Sequence, residues 1–286
     1  MKAPVLRQLG EFADIIRLKC WRHDVGLTGL GILYAAKQCG GFVIWKAMAG
    51  LLVATLYLAH GHAVNDFFDY KFAQQKEVRH PLRNIAAVAL LMLMCNCLLS
   101  FCLNPSILWL VLAGGAMGFF YVAPPFRLKN DIVANCFINS LGFALLFLIG
   151  FGSIAGHLTV PSMLMAAYFF LFFIPLQILH HIAHAEKDLE MGTQNIYNRC
   201  GPRLAIKAFN LSLIGLVLAT VNLQLSIVGK IVFMLATLLF SLFAFLEVQR
   251  RDKCEGIDPA SGAALRVYVR KIAILYGVGL GVAVLL

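Results

Sequence analysis

Charged residues are scarce in this sequence. Asp, Glu, Lys and Arg together make up only 13% of the 286 residues, whereas hydrophobic residues make up 60%. A soluble domain of this length carries about a quarter of its residues as charged side chains. The deficit excludes an ordinary soluble enzyme and predicts an all-α polytopic membrane protein.

Two patterns that would point to a secreted or zinc-binding protein are missing as well. The eight cysteines include no Cys-x-x-Cys pair, and most of them lie in apolar runs, where cysteine behaves as a small hydrophobic residue. No disulfide framework or zinc site is therefore expected. Residues 1–23 are basic and amphipathic without a continuous apolar core. They predict a cytoplasmic interfacial segment rather than a signal peptide.

Long apolar runs fill the rest of the chain. A membrane-spanning helix needs about 20 mostly apolar residues. Nine segments have this character, at 24–40, 42–64, 84–103, 106–123, 132–153, 160–182, 203–222, 229–247 and 267–286. We predict that residues 24–286 form a single bundle of nine transmembrane helices.

The nine predicted spans place nearly all basic residues on one side of the membrane. Because consecutive loops alternate between the two faces, 21 of the 24 Lys and Arg share the face of the N-terminus, and only Lys37, Lys46 and Lys230 lie opposite. The positive-inside rule makes the rich face cytoplasmic and puts the C-terminus on the other side. Anionic lipid headgroups then balance the net charge of +10, and no nucleic-acid partner is expected.

Polar residues enter the predicted spans at two places, both at cytoplasmic ends. At the end of the second span, Asn65, Asp66 and Asp69 share one helix face, because they are three or four residues apart. Carboxylates at a helix C-terminus oppose the helix dipole. The cluster therefore predicts a cation site.

The second polar cluster ends the sixth span. His180, His184 and Asp188 repeat every four residues and form one ladder on a helix. Glu186 points away from this ladder if the helix continues, and it joins the ladder only if the helix unwinds. Ionisable residues at such depths mark functional sites by default.

Carboxylate and amide oxygens of the two clusters predict Mg²⁺, which takes one or two carboxylates and completes its shell with water and phosphate. Basic residues follow the clusters and the fourth span, namely Lys71, Lys76, Arg79, Arg127, Lys129, Lys187, Arg199 and Arg203. Carboxylates, Mg²⁺ and several cations at a membrane surface are typical of a diphosphate site. The apolar interior behind this site is expected to hold a lipid tail.

Three stretches resemble the UbiA superfamily of intramembrane prenyltransferases. Asn65-Asp66-x-x-Asp69 resembles its first motif, NDxxDxxxD, and His184-x-x-x-Asp188 resembles its second, DxxxD. The loop after the fourth span, Tyr121-Val-Ala-Pro-Pro-Phe-Arg127-Leu-Lys129, resembles a family loop with tyrosine, proline and lysine.

The resemblance implies an enzyme that transfers an isoprenyl group, with Mg²⁺ as cofactor. Its partners would be an isoprenyl diphosphate and a lipophilic acceptor resembling an aromatic quinone precursor, inside membrane lipid. The implied metal ligands are Asn65, Asp66, Asp69, Asp188 and Glu186. The implied diphosphate ligands are Tyr121, Arg79, Arg127, Lys129 and Lys187, with His184 as a further catalytic residue and the active-site mouth on the cytoplasmic side.

Two residues depart from the family motifs. Ala73 stands where the first motif ends in aspartate, and His184 stands where the second begins with it. The loss of two carboxylates is compatible with fewer metal ions, an altered substrate or a cyclised product. His184 is expected to bind a phosphate oxygen or to act as an acid or base.

The sequence is also compatible with other functions. A UbiA-type terpene cyclase would ionise the same diphosphate without an acceptor. A non-catalytic family member or a transporter would keep the fold without the chemistry. The histidines at positions 60, 62, 180, 181 and 184 also allow a di-iron oxidase, although His60 and His62 do not share a helix face.

Overall fold

The structure, a computed structural model, describes residues 10–21, 23–41, 43–72, 80–190, 194–255 and 259–285. The described residues contain nine long helices, α1 Gly26–Cys39, α2 Ile44–Phe72, α3 Leu82–Leu103, α4 Pro105–Val122, α5 Ile132–Ala155, α6 Val160–Ala183, α7 Pro202–Ala219, α8 Ile227–Glu255 and α9 Pro259–Leu285. Shorter helical pieces lie at 10–15, Leu18–Trp21, Leu128–Asn130, Ala185–Glu190, Ile196–Cys200 and Thr220–Asn222. The prediction of an all-α membrane protein is confirmed.

Eight of the described helices are long and apolar enough to cross a membrane. The exception among the nine is α1, which has 14 residues. At a rise of 1.5 Å per residue it extends about 21 Å, which is less than the roughly 30 Å hydrocarbon core of a bilayer. The first predicted span, at residues 24–40, therefore stays a prediction.

The described residues group into two compact units. The first unit contains the chain up to Leu128 together with Leu145–Leu158, and the second contains Lys129–Ala144 together with the chain from Thr159 onward. The boundary falls inside α5, so the two ends of this helix belong to different units. Each polar motif of the sequence lies in its own unit.

Close backbone contact characterises the first unit. A Cβ atom on Gly31 of α1 would lie 2.1 Å from the carbonyl oxygen of Phe147, and one on Gly150 would lie 2.1 Å from that of Thr28. The Thr28 hydroxyl also donates to the carbonyl of Leu146 at 3.0 Å. Glycine is needed at both positions, because any side chain would force α1 away from the end of α5.

The N-terminal segment, residues 10–21, packs into the same unit. Ile15 joins a buried cluster with residues of α2 and α3, and Ile16 and Trp21 join a second one. The described residues 10–21 of the predicted interfacial segment thus pack against protein, next to the end of α2 that carries the first motif.

A buried hydroxyl cluster holds the second unit together. The side chains of Tyr168 in α6, Thr237 in α8 and Tyr276 in α9 hydrogen-bond one another, with 2.8 Å between Tyr168 and Thr237 and 2.7 Å between Thr237 and Tyr276. Phe172 and Phe240 pack against the Tyr276 ring. Because all three hydroxyls are satisfied, they add little cost to an apolar interior. The cluster joins α8 and α9 to α6, the helix that carries the second motif.

Candidate functional site

The first motif lies on the last turns of α2. The Asn65 side chain donates a hydrogen bond of 3.0 Å to Asp69 Oδ2, which confirms that these residues share a face. Asp66 and Asp69 are only 5% and 7% exposed. Two carboxylates buried one turn apart are costly unless positive charge or hydrogen-bond donors compensate them. This helix end is therefore suited to binding a cation.

A positive charge reaches Asp66 from the N-terminal segment. Arg17 Nη2 lies 2.5 Å from Asp66 Oδ1. Among the described residues no well-oriented hydrogen bond reaches this carboxylate oxygen. The contact is thus an ion pair of poor hydrogen-bond geometry, and we expect a divalent cation to displace the guanidinium.

The backbone around Arg17 is held in an uncommon conformation. Arg17 has φ 50°, in the left-handed region that costs a residue with a side chain about 1–2 kcal/mol. Trp21 fixes this turn, because its indole N–H donates to the Ile16 carbonyl at 2.5 Å and its ring stacks on His62 with 6.4 Å between centroids. The packing of this segment therefore determines where the guanidinium lies.

The second motif begins where α6 ends. Residue His184, with φ −114° and ψ 13°, separates α6 from the short helix Ala185–Glu190. The four-residue hydrogen-bond ladder nevertheless continues, with 3.1 Å from His184 N to the His180 carbonyl and 2.8 Å from Asp188 N to the His184 carbonyl. The imidazole rings of His180 and His184 are 4.5 Å apart. The side chain of Glu186 is exposed.

Asn195 positions the carboxylate of the second motif. Its side-chain amide donates to Asp188 Oδ2 at 2.8 Å and to the His181 carbonyl at 3.1 Å. Its Oδ1 accepts from the backbone N–H of Asn198 at 3.0 Å and so caps the helix Ile196–Cys200. Asn195 is 0% exposed. One buried amide thus joins the end of α6, the Asp188 carboxylate and the next helix.

An arginine from α9 contacts the histidine of the second motif. Arg266 Nη1 lies 2.6 Å from His184 Nε2, and both side chains are part-buried. A guanidinium can only donate hydrogen bonds, so Nε2 must be the acceptor. The proton of the imidazole is then on Nδ1 and the ring is neutral.

The loop after α4 contains the remaining predicted ligands. Tyr121 lies half-buried in the last turn of α4, and Arg127, at φ 38°, follows in the loop. Lys129 begins the second unit and is only 6% exposed. Its backbone carbonyl accepts a 2.9 Å hydrogen bond from the Asn135 side chain. This bond fixes the turn that buries the lysine.

Some predicted residues fall outside this description. Arg79 lies outside the described residues, as does Ala73, and the side chain of Lys187 is likewise not described. Binding of a diphosphate by Arg79 and Lys187 therefore stays a prediction.

The prediction from sequence missed three partners of the motifs, Arg17, Asn195 and Arg266. The two arginines appeared in it only as members of the cytoplasmic basic set. Asn195 follows Asp188 by seven residues, and asparagine before a helix is typical of a cap rather than of a partner for a carboxylate two turns away. Only the fold brings these side chains to the motifs.

The comparison with known families decides the relationship of this chain to others. A profile of the UbiA prenyltransferase family matches residues 25–268, which is most of the chain. The chain belongs to the UbiA prenyltransferase family. The resemblance drawn from the motifs is confirmed, and a search of curated proteins finds no match.

Solved structures with the UbiA fold resemble this chain along nearly its whole length. A structure of digeranylgeranylglyceryl phosphate synthase matches with a TM-score of 0.74 at 15% identity, covering 98% of this chain and 99% of that chain. A UbiA homologue from Archaeoglobus fulgidus bound to DMAPP and Mg²⁺ matches with a TM-score of 0.70 at 18% identity, covering 94% and 98%. The apo UbiA homologue from Aeropyrum pernix K1 matches with a TM-score of 0.58 at 15% identity, covering 89% and 98%. At these identities the matches show a shared fold.

Proposed function

We propose that this UbiA protein transfers an isoprenyl group from an isoprenyl diphosphate to a lipophilic acceptor, with Mg²⁺ as cofactor. The buried pair Asp66 and Asp69 at the end of α2 is the observation that carries the proposal. Ionisable groups at the end of an apolar helix are costly and mark function. The Archaeoglobus fulgidus homologue bound to DMAPP and Mg²⁺ supports the assignment of substrate class and metal.

The residues of the first motif fit Mg²⁺ by their chemistry. In the described part of the chain no three His, Cys, Asp or Glu side chains group closely enough to hold a metal unaided. Mg²⁺ does not need such a cage, because it takes one or two carboxylates and fills its shell with water and phosphate oxygens. Asp66 and Asp69 would supply the carboxylates, and Asn65 holds Asp69 in place.

In the second unit we assign the same metal–diphosphate chemistry to Asp188, with Glu186 as an auxiliary ligand. Asp188 is held by Asn195 at 2.8 Å, so its carboxylate is oriented before any ligand arrives. Such pre-orientation by a hydrogen-bond partner is worth 10–100-fold in affinity or activity at metal sites.

The proposed reaction breaks the bond between the allylic carbon and the diphosphate oxygen. The electron pair leaves with the diphosphate, the acceptor captures the carbocation, and a proton leaves the acceptor. Bound Mg²⁺ neutralises charge developing on the leaving group. We assign binding of the diphosphate leaving group to four cationic side chains and one phenol, Arg79, Arg127, Lys129, Lys187 and Tyr121.

The proposal is tested by measuring Mg²⁺-dependent pyrophosphate release in nanodiscs. Labelled geranyl, farnesyl and geranylgeranyl diphosphates are offered with and without a panel of aromatic acceptors. We expect release that falls by more than about 100-fold in Asp66→Ala and in Asp188→Ala, which exceeds the 10–100-fold loss typical of residues that only support a metal ligand. Glu190→Gln is the matched control, because it removes an exposed carboxylate from the same short helix as Asp188.

The products separate the competing reactions. An isoprenylated acceptor supports the transferase. A cyclic hydrocarbon or alcohol formed without acceptor supports the terpene cyclase instead. No turnover with any diphosphate, together with no Mg²⁺-dependent binding, would contradict both and favour a non-catalytic member or a transporter.

We also propose nine spans with the N-terminus in the cytoplasm and the polar motifs on that side. The distribution of Lys and Arg supports this orientation. Two exposed native cysteines test it, Cys39 at the end of α1 and Cys200 before α7. In right-side-out vesicles an impermeant maleimide should label a variant that keeps only Cys39, and should spare one that keeps only Cys200. The opposite pattern, or equal labelling, would reject the proposed orientation.

A further inference from the structure

The guanidinium of Arg266 lies beside the second motif, and none of the roles assigned above uses it. Arg266 is part-buried on α9, 82 residues beyond His184, and its Nη1 approaches His184 Nε2 at 2.6 Å. α9 packs along α6 within the second unit. The contact is therefore a product of the fold and not of local sequence.

The direction of the hydrogen bond determines where the charge lies. Because Nε2 of His184 accepts from Arg266, the ring is neutral and its Nε2 lone pair is already used. The positive charge stays on the guanidinium. His184 consequently acts here as an anchor for a cation, and not as a ligand that binds a metal through Nε2.

The position of this cation suits an anionic ligand. His184 follows the last residue of the Val160–Ala183 span, so the contact lies at the end of the apolar segment. Asp188, one helical turn further on, is the carboxylate that Asn195 orients. A planar guanidinium offers several N–H donors in a fork that matches two phosphate oxygens.

We propose that Arg266 binds the diphosphate of the substrate and that His184 is the positioning residue that holds its guanidinium. The inference rests on the proposed function, since it names a further ligand for the same diphosphate. A simpler role for Arg266 is to interact with the C-terminal carbonyls of α6, which favour a nearby cation. The two roles predict different binding data.

The experiment measures the affinity of inorganic pyrophosphate with Mg²⁺ for the full chain in nanodiscs by calorimetry. Hydrogen bonds to charged groups contribute about 1.5–3 kcal/mol, so Arg266→Met should weaken binding roughly 10- to 100-fold. Arg266→Lys should recover part of this loss, because it keeps the charge without the fork. Lys271→Met is the matched control, an exposed cation further along α9, and should stay within about twofold of the wild type.

Two substitutions at His184 test the positioning role. Gln can place its carbonyl oxygen near the position of Nε2 and accept from Arg266, whereas Leu cannot. We expect His184→Leu to weaken pyrophosphate binding about tenfold and His184→Gln to stay close to the wild type. Should Arg266→Met fail to fold, this pair and Arg266→Lys decide the question.

Several results would overturn the inference. Unchanged pyrophosphate affinity in Arg266→Met, with only a lower melting temperature, would leave Arg266 as a helix cap. Equal losses in His184→Leu and His184→Gln would reject the positioning role. Asp66→Ala in the same assay distinguishes a failure of this inference from a failure of the proposed function. If it abolishes binding while Arg266→Met does not, only the inference fails, and if it too has no effect, the proposed function fails.

Discussion

Each of the two motifs receives an arginine from a distant segment, but the two arginines meet different groups. In the first unit Arg17 lies 2.5 Å from the carboxylate of Asp66. In the second unit Arg266 lies 2.6 Å from the neutral imidazole of His184. The first pair joins opposite charges, whereas the second joins a cation to a neutral ring. The same residue type is thus a counter-ion of a carboxylate at one motif and, as inferred above, an anion ligand at the other.

This difference implies that the two motifs contribute unequally to metal binding and to diphosphate binding. The first motif, with two buried carboxylates, should dominate metal affinity. The second, with one oriented carboxylate and an anchored guanidinium, should contribute more to diphosphate affinity. The four predictions below test this difference.

The largest effect is expected for metal affinity. Asp66→Asn should lower the affinity for Mn²⁺, a paramagnetic substitute for Mg²⁺, by more than about 100-fold, which exceeds the 10–100-fold loss typical of residues that only support a ligand. Asp188→Asn should lower it by no more than about tenfold. Electron paramagnetic resonance of free Mn²⁺ measures both. Equal losses would show that the two motifs bind metal alike.

The second prediction concerns the hydrogen bond from Asn195 to Asp188. Asn195→Ser keeps an oxygen that caps the helix Ile196–Cys200 but loses the amide donor, whereas Asn195→Ala loses both. Both variants should lower kcat about tenfold. Because only the alanine variant also loses the cap, its free energy of unfolding should be lower than that of the serine variant by about 1 kcal/mol.

A cap elsewhere serves as control for this pair. Asn104 caps α4, where its Oδ1 accepts from the N–H of Ser106 at 2.7 Å. Asn104→Ala should lower stability and leave kcat unchanged. Full activity in Asn195→Ser would mean that Asn195 acts as a cap alone.

The third prediction concerns the ion pair of Arg17. Arg17→Met leaves Asp66 without its counter-ion, and because the arginine is 36% exposed we expect a loss of only about 1–2 kcal/mol rather than the larger cost of a fully buried pair. Millimolar Mg²⁺ should raise the melting temperature of this variant more than that of the wild type. Its Mn²⁺ affinity should rise a few-fold.

An exposed ion pair is the matched control. Arg250 Nη2 lies 2.9 Å from Glu247 Oε1, and the arginine is 63% exposed. Arg250→Met should cost less than about 1 kcal/mol and should not change the response to Mg²⁺. If Arg17→Met and Arg250→Met respond alike to Mg²⁺, Arg17 is not the counter-ion that the metal replaces.

The smallest effect is expected for Glu186. Its carboxylate is exposed at the start of the helix Ala185–Glu190, so water already stabilises its charge. Because Glu186 is proposed as an auxiliary ligand, Glu186→Gln should lower kcat by about two- to threefold. Steady-state turnover at saturating diphosphate measures this. A fall in kcat as large as that of Asp188→Asn in the same assay would make Glu186 a principal ligand.

Much of the fold was predictable because its signals are local. Apolar runs of about 20 residues predict spans wherever they occur, and eight are confirmed as candidate spans. The run at 24–40 is the exception, since its helix α1 has only 14 residues. Its Gly31 and Gly150 of α5 allow close backbone contact between the two helices, which a count of apolar residues does not reveal.

The candidate site was likewise predictable where its contacts are local in the sequence. Residues four apart share a helix face, so the bond between Asn65 and Asp69 follows from spacing alone. The break at His184 was foreseen only as an alternative, because no proline or glycine marks it in the sequence. Arg17 could not be assigned to Asp66, since its place depends on a left-handed turn that carries no glycine.

The order of residues along the chain thus decides which segments are helical, which are apolar enough to enter the membrane and which side chains share a face within each motif. These properties depend on neighbours within one or two helical turns. The pairing of Arg17 with Asp66 and of Arg266 with His184 is decided by tertiary structure, because it requires the N-terminal segment to pack on α2 and α9 to pack on α6. Packing of distant segments, and not any local spacing, therefore brings each motif its arginine.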